Sequence, residues 1–256
     1  MSVHGSPVQY TAEGNGPGLV LVHATGTDSE TNFGHLRGYF TDRHTVITPD
    51  FAGSGRTPLS ELPLTVDLLA DQVIAAARDV TDEPFDVAGF SLGSVVAAAA
   101  AAAHPDCVRR LILICAWSRN DDPRQQVLMR LWWRLAQIDE EAYAEFTALA
   151  VFSPAYLAGL GTDGIKAGVG LITMEAGVLR QMELAAGVDI RDRLPLIEAP
   201  TLVIGASHDH WIPVQHARAM HGAINGSRYA ELDCGHMAVF ERPEELVHLV
   251  KDFVDV

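Results

Sequence analysis

The stretch Gly89-Phe90-Ser91-Leu92-Gly93 decides how this chain is interpreted, because it joins two elements with different patterns. The residues that lead into it, Phe85–Gly89, form a short apolar run typical of a buried strand. The residues after it, Leu92–His104, are rich in alanine and indicate a helix. A serine flanked by glycines at such a junction exposes its hydroxyl at the end of the sheet, and the glycines allow the strand and the helix to pass close to each other. We therefore predict that Ser91 is a nucleophile and that the N–H of Leu92, at the start of the helix, can stabilise an oxyanion.

A serine hydroxyl is a weak nucleophile until a base removes its proton. His236 follows the last predicted strand, so we expect it at the same carboxyl edge of the sheet as Ser91. A histidine base needs a carboxylate that holds its tautomer, and Asp209, after the fifth predicted strand, is the candidate. Asp121 and Asp122, after the fourth strand, are the alternative acids.

Short apolar runs alternate with helical patterns along most of the chain, which predicts an α/β fold with a mostly parallel central sheet and helices on both faces. Residues 118–187 interrupt this alternation with helical spacing alone, so we expect a single domain with a core of 1–117 and 188–256 and a helical cap insertion between. The predicted strands are Leu19–His23, Thr45–Thr48, Phe85–Gly89, Arg110–Cys115, Thr201–Gly205 and Arg228–Leu232, and the predicted helices are Thr65–Val80, Leu92–His104, Val214–His221 and Pro243–Val254.

The net charge and the cysteine content limit the partners and the compartment expected for this protein. The 256 residues carry a formal charge of −15, so phosphate backbones and anionic lipid surfaces repel the chain, and we expect neither nucleic acid nor a membrane as partner. Three cysteines without paired spacing favour a reducing compartment. With no secretory pattern in the first ten residues, we expect a cytoplasmic protein, and the sequence assigns no oligomeric state.

A metal site is the alternative use of the loop around Asp209, because His208 and His210 flank that residue. Adjacent residues of an irregular loop rarely converge on one ion, and no cysteine stands in a C-x-x-C unit. We therefore expect neither a metal nor another cofactor.

Four further motifs occur in an order that resembles the α/β-hydrolase fold superfamily over nearly the whole chain. The nucleophile is serine, which argues against the superfamily's haloalkane dehalogenases and epoxide hydrolases, built on aspartate. The motifs are His23-Ala24-Thr25-Gly26 after the first predicted strand, Asp50–Thr57 after the second, Gly205–Pro213 around Asp209, and Gly235-His236 with Glu241, Pro243 and Phe253 near the end.

The resemblance implies a role for each of these residues. Ser91 attacks, His236 is the base and Asp209 orients it, while the N–H groups of Thr25 and Leu92 form an oxyanion hole. His23 is expected to brace its loop by hydrogen bonding, as are Asp50 and Arg56 in the next loop. The chain departs from the family at Ala24, where glycine is usual, and at Ser94.

Large aromatic side chains in and around the insertion predict a mostly apolar pocket for a small-molecule substrate. The leading hypothesis is a carboxylic ester hydrolase for an apolar or aromatic compound. The alternatives are hydrolysis of a lactone, a thioester or a C–C bond, cofactor-free perhydrolysis, and a non-catalytic binding protein. The candidate substrate-binding residues are Trp117, Trp132, Trp133, Phe146 and Trp211.

Overall fold

The computed structural model describes residues 2–174 and 176–255 and confirms the predicted α/β architecture. Seven strands form one sheet in the order β3-β5-β4-β6-β7-β8-β9, and all its pairings are parallel except that of β3 with β5. All six predicted strands are present. The strands are β1 (Ser2–Val3), β2 (Ser6–Pro7), β3 (Gln9–Gly14), β4 (Gly18–Val22), β5 (Thr45–Asp50), β6 (Phe85–Phe90), β7 (Val108–Ile114), β8 (Thr201–Ala206) and β9 (Arg228–Leu232).

Helices cover both faces of the sheet, and four of them, α4–α7, form the helical insertion between β7 and β8. No helix within the described residues is long and apolar enough to cross a membrane. The helices are α1 (Ser29–Arg37), α2 (Val66–Arg78), α3 (Leu92–Ala103), α4 (Pro123–Ile138), α5 (Glu140–Val151), α6 (Pro154–Val169), α7 (Val178–Ala186), α8 (Gln215–Ala223), α9 (Ala238–Glu241) and α10 (Pro243–Val254), with a 3₁₀ turn at Leu194–Leu196.

The elements that the sequence pattern did not predict are short or solvated. β3 lies at the sheet edge with its six residues exposed or half-buried, so it lacks the apolar run that marks the central strands. β1 and β2 form a separate two-residue hairpin. α1 has a weak apolar face, and its clearest signal is Asp28, whose side chain accepts the N–H of Thr31 as an N-cap.

Parallel pairing brings the strand ends that carry the candidate residues to one edge of the sheet. The central strands are in register near these ends: Val22 of β4 lies opposite Gly89 of β6, and Ile114 of β7 opposite Ile204 of β8. The loops that follow β4, β6, β8 and β9 therefore leave from the same edge, as in other parallel α/β sheets.

Ser91 occupies the sharp turn between β6 and α3, with φ 54° and ψ −120°. This left-handed backbone costs a non-glycine residue about 1–3 kcal/mol, so the surroundings must hold it in place. The Ser91 N–H donates to the Ile114 carbonyl of β7 at 2.9 Å. A Cβ on Gly89 would lie 2.2 Å from the Gly93 carbonyl oxygen, and one on Gly93 would lie 2.0 Å from that of Val22.

We expect Gly93→Ala to destabilise the fold by about 3 kcal/mol, because the methyl group meets backbone rather than a movable side chain. Gly159→Ala is the matched control: it lies in α6, and a Cβ there meets nothing within 4 Å. The control should be neutral or stabilising by up to about 1 kcal/mol. Urea unfolding measures both, and equal stability of the two variants would contradict the close approach at the turn.

Candidate active site

Ser91, His236 and Asp209 form a continuous chain of hydrogen bonds at the carboxyl edge of the sheet. His236 Nε2 lies 2.8 Å from Ser91 Oγ, and His236 Nδ1 lies 2.6 Å from Asp209 Oδ2. An aspartate opposite Nδ1 accepts the Nδ1–H, which leaves Nε2 as the acceptor for the serine hydroxyl. The three side chains that the sequence selected separately are therefore arranged to move a proton off Ser91.

The Asp209 carboxylate is held by its own loop. Its Oδ1 accepts the backbone N–H groups of Trp211 and Ile212 at 2.8 and 2.7 Å, so only Oδ2 is directed to the histidine. Ser91, Asp209 and His236 are all buried, at 3, 7 and 3% exposure. Hydrogen bonds in such a water-poor site are stronger than at the surface, and the imidazolium that forms in a proton transfer has a fixed partner.

The alternative acids lie elsewhere. Asp122 caps α4, where its Oδ1 accepts the N–H groups of Arg124 and Gln125, and these bonds hold the pKa of Asp122 below its ordinary value. Asp121 pairs with Arg119 at 3.0 Å. Neither carboxylate contacts His236, whose Nδ1 is taken by Asp209.

Two groups of potential metal ligands occur near Asp209. The His208-Asp209-His210 run does not converge, because His208 Nε2 reaches Asp233 at 2.8 Å while Asp209 faces His236. One ligand atom each from Cys115, Asp209 and His236 lies within 4.8 Å of the others. Burial raises the pKa of Cys115 well above its ordinary value, so the thiol stays protonated, and its Sγ–H points at the His236 carbonyl. A neutral thiol beside an Asp–His pair that is already hydrogen-bonded fits a metal poorly.

In the loop after β4, one backbone N–H has no acceptor among the described residues, while the N–H groups on either side of it are hydrogen-bonded. The N–H of Ala24 donates to Asn32 Oδ1 at 2.8 Å, and the N–H of Gly26 donates to Gln181 Oε1 at 2.9 Å. Within residues 2–174 and 176–255, the N–H of Thr25 between them has no acceptor, and neither has the N–H of Leu92. These are the two donors that the sequence predicts for an oxyanion.

His23 braces this loop, as expected from the sequence. Its Nδ1–H donates to the Ala24 carbonyl at 2.7 Å, and its Nε2 accepts the N–H of Phe51 at 2.9 Å. Burial lowers the pKa of His23, which keeps the ring neutral with Nε2 as an acceptor. The Ala24 methyl group, which departs from the family's glycine, is buried in an apolar cluster on this side of the sheet. Asp50 braces the next loop, because its Oδ2 accepts the N–H of Arg56 at 3.4 Å, and its Oδ1 accepts the N–H of Ser29 at the start of α1 at 2.9 Å.

Three of the five predicted substrate-binding residues come together beside His236. The Trp211 ring lies 6.5 Å from the His236 ring, with the Trp132 ring 4.6 Å and the Phe146 ring 6.4 Å from Trp211. Trp133 does not join them: it lines a cavity of about 380 Å³ between α4 and α7. It follows Trp132 directly on α4, and neighbouring positions on a helix face different directions. Trp117 is fully buried in the apolar core and is not among the rings stacked near His236.

Two buried polar residues that hold the site's loops were not assigned these roles from the sequence. Gln181 of α7 accepts the N–H of Gly26 and donates from Nε2 to Ser54 Oγ at 2.9 Å. The sequence did contain a signal for this role, because a glutamine among the apolar positions of an amphipathic helix must find a buried hydrogen-bond partner. Glu241 accepts the N–H groups of Gly235 and Ser153 at 3.1 and 2.8 Å, and so joins the His236 loop to the insertion.

Comparison with known proteins places this chain among hydrolases. A model of the alpha/beta hydrolase family matches residues 19–249. The chain is 42% identical to the pyrrolizixenacetamide deacetylase of Xenorhabdus hominickii, over 99% of this chain and 97% of that protein. It is 26% identical to the pimeloyl-[acyl-carrier protein] methyl ester esterase of Aeromonas hydrophila, over 94 and 96%. The enol-lactonase of Burkholderia xenovorans LB400 shares the fold, with a TM-score of 0.85, 24% identity and coverage of 99 and 98%.

We expect the buried neutral His23 to make stability depend on pH. In the folded chain the pKa of His23 lies below the ordinary value of about 6.5. Just below pH 6.5, the unfolded chain therefore binds a proton at His23 and the folded chain does not. The free energy of unfolding should therefore fall on acidification, with at most about 1.4 kcal/mol per pH unit from this group. His23→Gln should flatten the slope between about pH 7 and 5, measured by urea unfolding, while the exposed His248→Gln should not. Identical slopes for wild type and His23→Gln would show that folding does not lower the pKa of His23.

Proposed function

The chain belongs to the alpha/beta hydrolase family, and we propose that it is a serine hydrolase that removes a small acyl group from an ester or amide of an apolar small molecule. The observation that carries the proposal is the unbroken chain of hydrogen bonds from Ser91 Oγ through His236 to Asp209. The backbone N–H groups of Thr25 and Leu92, which have no acceptor among the described residues, support it. A non-catalytic binding protein would have no use for this combination of a strained serine, an aligned base and two free donors.

The reaction runs in two halves on these residues. As Ser91 Oγ attacks the carbonyl carbon, His236 Nε2 takes the hydroxyl proton, and the oxygen that becomes negative accepts the N–H groups of Thr25 and Leu92. Collapse breaks the bond to the leaving alcohol or amine, which takes the proton from His236. Water then attacks the acyl-enzyme, again through His236, and releases the acid and the free serine. Asp209 holds the imidazolium in both halves.

The limited space around the loop that contains Gly26, next to the predicted oxyanion donor Thr25, favours a small acyl group. A Cβ built on Gly26 would lie 2.9 Å from Val178 Cγ2, 3.5 Å from the Tyr143 hydroxyl and 3.8 Å from the Trp132 ring. These side chains of the insertion close over the loop, so the insertion acts as a cap. The relative at 42% identity is named as a deacetylase, which agrees with an acetyl-sized acyl group.

The leaving group can be an amine as well as an alcohol. The sequence pointed first to a carboxylic ester, and a relative at 26% identity is named as a methyl ester esterase. The more similar relative is named as the deacetylase of an acetamide, which favours amide cleavage as the second candidate. His236 can protonate either leaving group, because after the attack its Nε2–H faces the position of the scissile bond.

We expect Ser91→Ala to lower the turnover of p-nitrophenyl acetate by at least about 10³-fold while the fold is retained. The far-ultraviolet circular dichroism and the melting temperature report the fold. Ser6→Ala is the matched control: Ser6 is also a buried serine, but it lies in β2, where its Oγ accepts a hydrogen bond from Gln72 Nε2 of α2. The control should keep its activity. Ser91→Ala activity within tenfold of wild type would overturn the nucleophile assignment.

We also expect the wild type to prefer short acyl chains, with kcat/KM for p-nitrophenyl acetate at least about 10-fold above that for p-nitrophenyl octanoate. The physical reason is the closure of Val178, Tyr143 and Trp132 over the Gly26 loop. Hydrolysis of 4-nitroacetanilide, followed by release of 4-nitroaniline, tests the amide reaction under the same conditions. A preference for the octanoate would contradict the small acyl site, and an absence of 4-nitroaniline would restrict the activity to esters.

A further inference from the structure

The N-terminus of α7 in the helical insertion is packed tightly against the loop that follows β5. The backbone N–H of Gly177, the residue before α7, donates to the Gly53 carbonyl at 2.9 Å. A Cβ on Gly53 would lie 2.4 Å from Gly177 Cα, and one on Gly177 would lie 2.4 Å from the Ala52 carbonyl oxygen. Because backbone meets backbone here, no flexible side chain can adjust, and the start of α7 has a fixed position on the core.

Gln181 lies four residues after Gly177 on the same face of α7, and its side chain is fully buried. Its Oε1 accepts the N–H of Gly26 at 2.9 Å. Its Nε2 donates to Ser54 Oγ at 2.9 Å and to the Ala52 carbonyl at 3.4 Å. Turning the amide over would place Oε1 against the Ala52 carbonyl oxygen and Nε2 against the N–H of Gly26, so these partners hold the amide in one orientation.

The peptide that Gln181 holds is next to the predicted oxyanion donor. The N–H of Thr25 and the N–H of Gly26 belong to consecutive peptides that share the Thr25 Cα, so fixing one peptide limits the rotation of the other. Asn32 holds the N–H of Ala24 on the preceding side. Gly26 has φ 70°, and glycine has more backbone freedom than any other residue, so its own sterics do not fix the loop on the following side.

We propose that Gln181 is a positioning residue for the oxyanion hole, which holds the Gly26 peptide so that the N–H of Thr25 is directed at the developing negative oxygen. The inference rests on the proposed function, because it needs an oxyanion for the Thr25 N–H to meet. Gln181 acts through Gly26 and does not touch the substrate. A donor that meets a charge formed only in the transition state raises kcat and changes ground-state binding little.

The variant Gln181→Met keeps roughly the length of the side chain and removes both polar atoms. We expect kcat for p-nitrophenyl acetate to fall at least about 10-fold, while KM changes less than about threefold. The matched control is Gln125→Met, since Gln125 is also a fully buried glutamine of the insertion, but its amide has no hydrogen-bond partner in the described part of the chain. The control should keep kcat within about twofold of wild type. Thermal melting establishes that each variant is folded at the assay temperature.

A double-mutant cycle with Ser54 separates positioning from packing. Ser54→Ala leaves Gln181 Nε2 with only the longer bond to the Ala52 carbonyl, so we expect kcat to fall at least about threefold. In the Gln181→Met background the same substitution should change kcat less than about twofold, because Ser54 affects the oxyanion hole only through Gln181. If Gln181 merely packed α7 onto the core, the two effects on kcat would multiply.

The positioning role is overturned if Gln181→Met loses less than this in kcat, if its loss is in KM instead, or if Ser54→Ala lowers kcat by the same factor in both backgrounds. Should Gln181→Met fail to fold, Ser54→Ala decides: a lower kcat at unchanged KM supports the role, and an unchanged kcat overturns it. Wild type and Ser91→Ala are assayed in parallel. Equal rates for these two would overturn the proposed function, and the oxyanion with it, whereas an active wild type with an unaffected Gln181→Met contradicts the positioning role alone.

Discussion

The close approach of β6, α3 and β4 at the turn around Ser91 is the constraint on which the rest of the site depends. The Val22 carbonyl oxygen would lie only 2.0 Å from a Cβ on Gly93, so the helix can start there only if that residue is glycine. The same crowding holds Ser91 at φ 54° with its N–H bonded to β7. The strained turn thus places the hydroxyl at the carboxyl edge, where the loops after β8 and β9 bring Asp209 and His236 to it.

The helical insertion and the core are joined through the loops that carry the proposed chemistry. Gln181 of α7 accepts the N–H of Gly26 and donates to Ser54. Asn32 accepts the N–H of Ala24, so the N–H groups on both sides of Thr25 are hydrogen-bonded. Glu241 makes the corresponding connection between the His236 loop and Ser153. A change in the position of the insertion would therefore shift the proposed oxyanion donors and the proposed base, because single buried side chains connect the insertion to both loops.

Much of this arrangement could be predicted from the sequence, because central strands and a glycine-flanked serine leave strong local patterns. The six predicted strands are present, and α10 has the predicted bounds Pro243–Val254, since its proline and acidic first turn are a clear start signal. Asp209 was the leading candidate for the acid and Asp121 and Asp122 the alternatives, and only the folded structure brings one of them, Asp209, to 2.6 Å from His236 Nδ1. β3 escaped prediction because an exposed edge strand needs no apolar run.

The parts that could not be predicted depend on contacts between distant segments. Trp132 and Trp133 are adjacent in sequence, and only the packing of α4 decides that the first contacts Trp211 while the second faces the α4–α7 cavity. The bond between Gln181 and Gly26 spans 155 positions, so no local pattern identifies the partner.

Activation of Ser91 by His236 is tested most directly by labelling with a fluorophosphonate followed by peptide mass spectrometry. We expect one phosphonylated residue, Ser91, in the native protein, with the rate of labelling reduced by orders of magnitude in His236→Ala and labelling abolished by unfolding. Modification of a different residue, or labelling of Ser91 at the wild-type rate in His236→Ala, would contradict it.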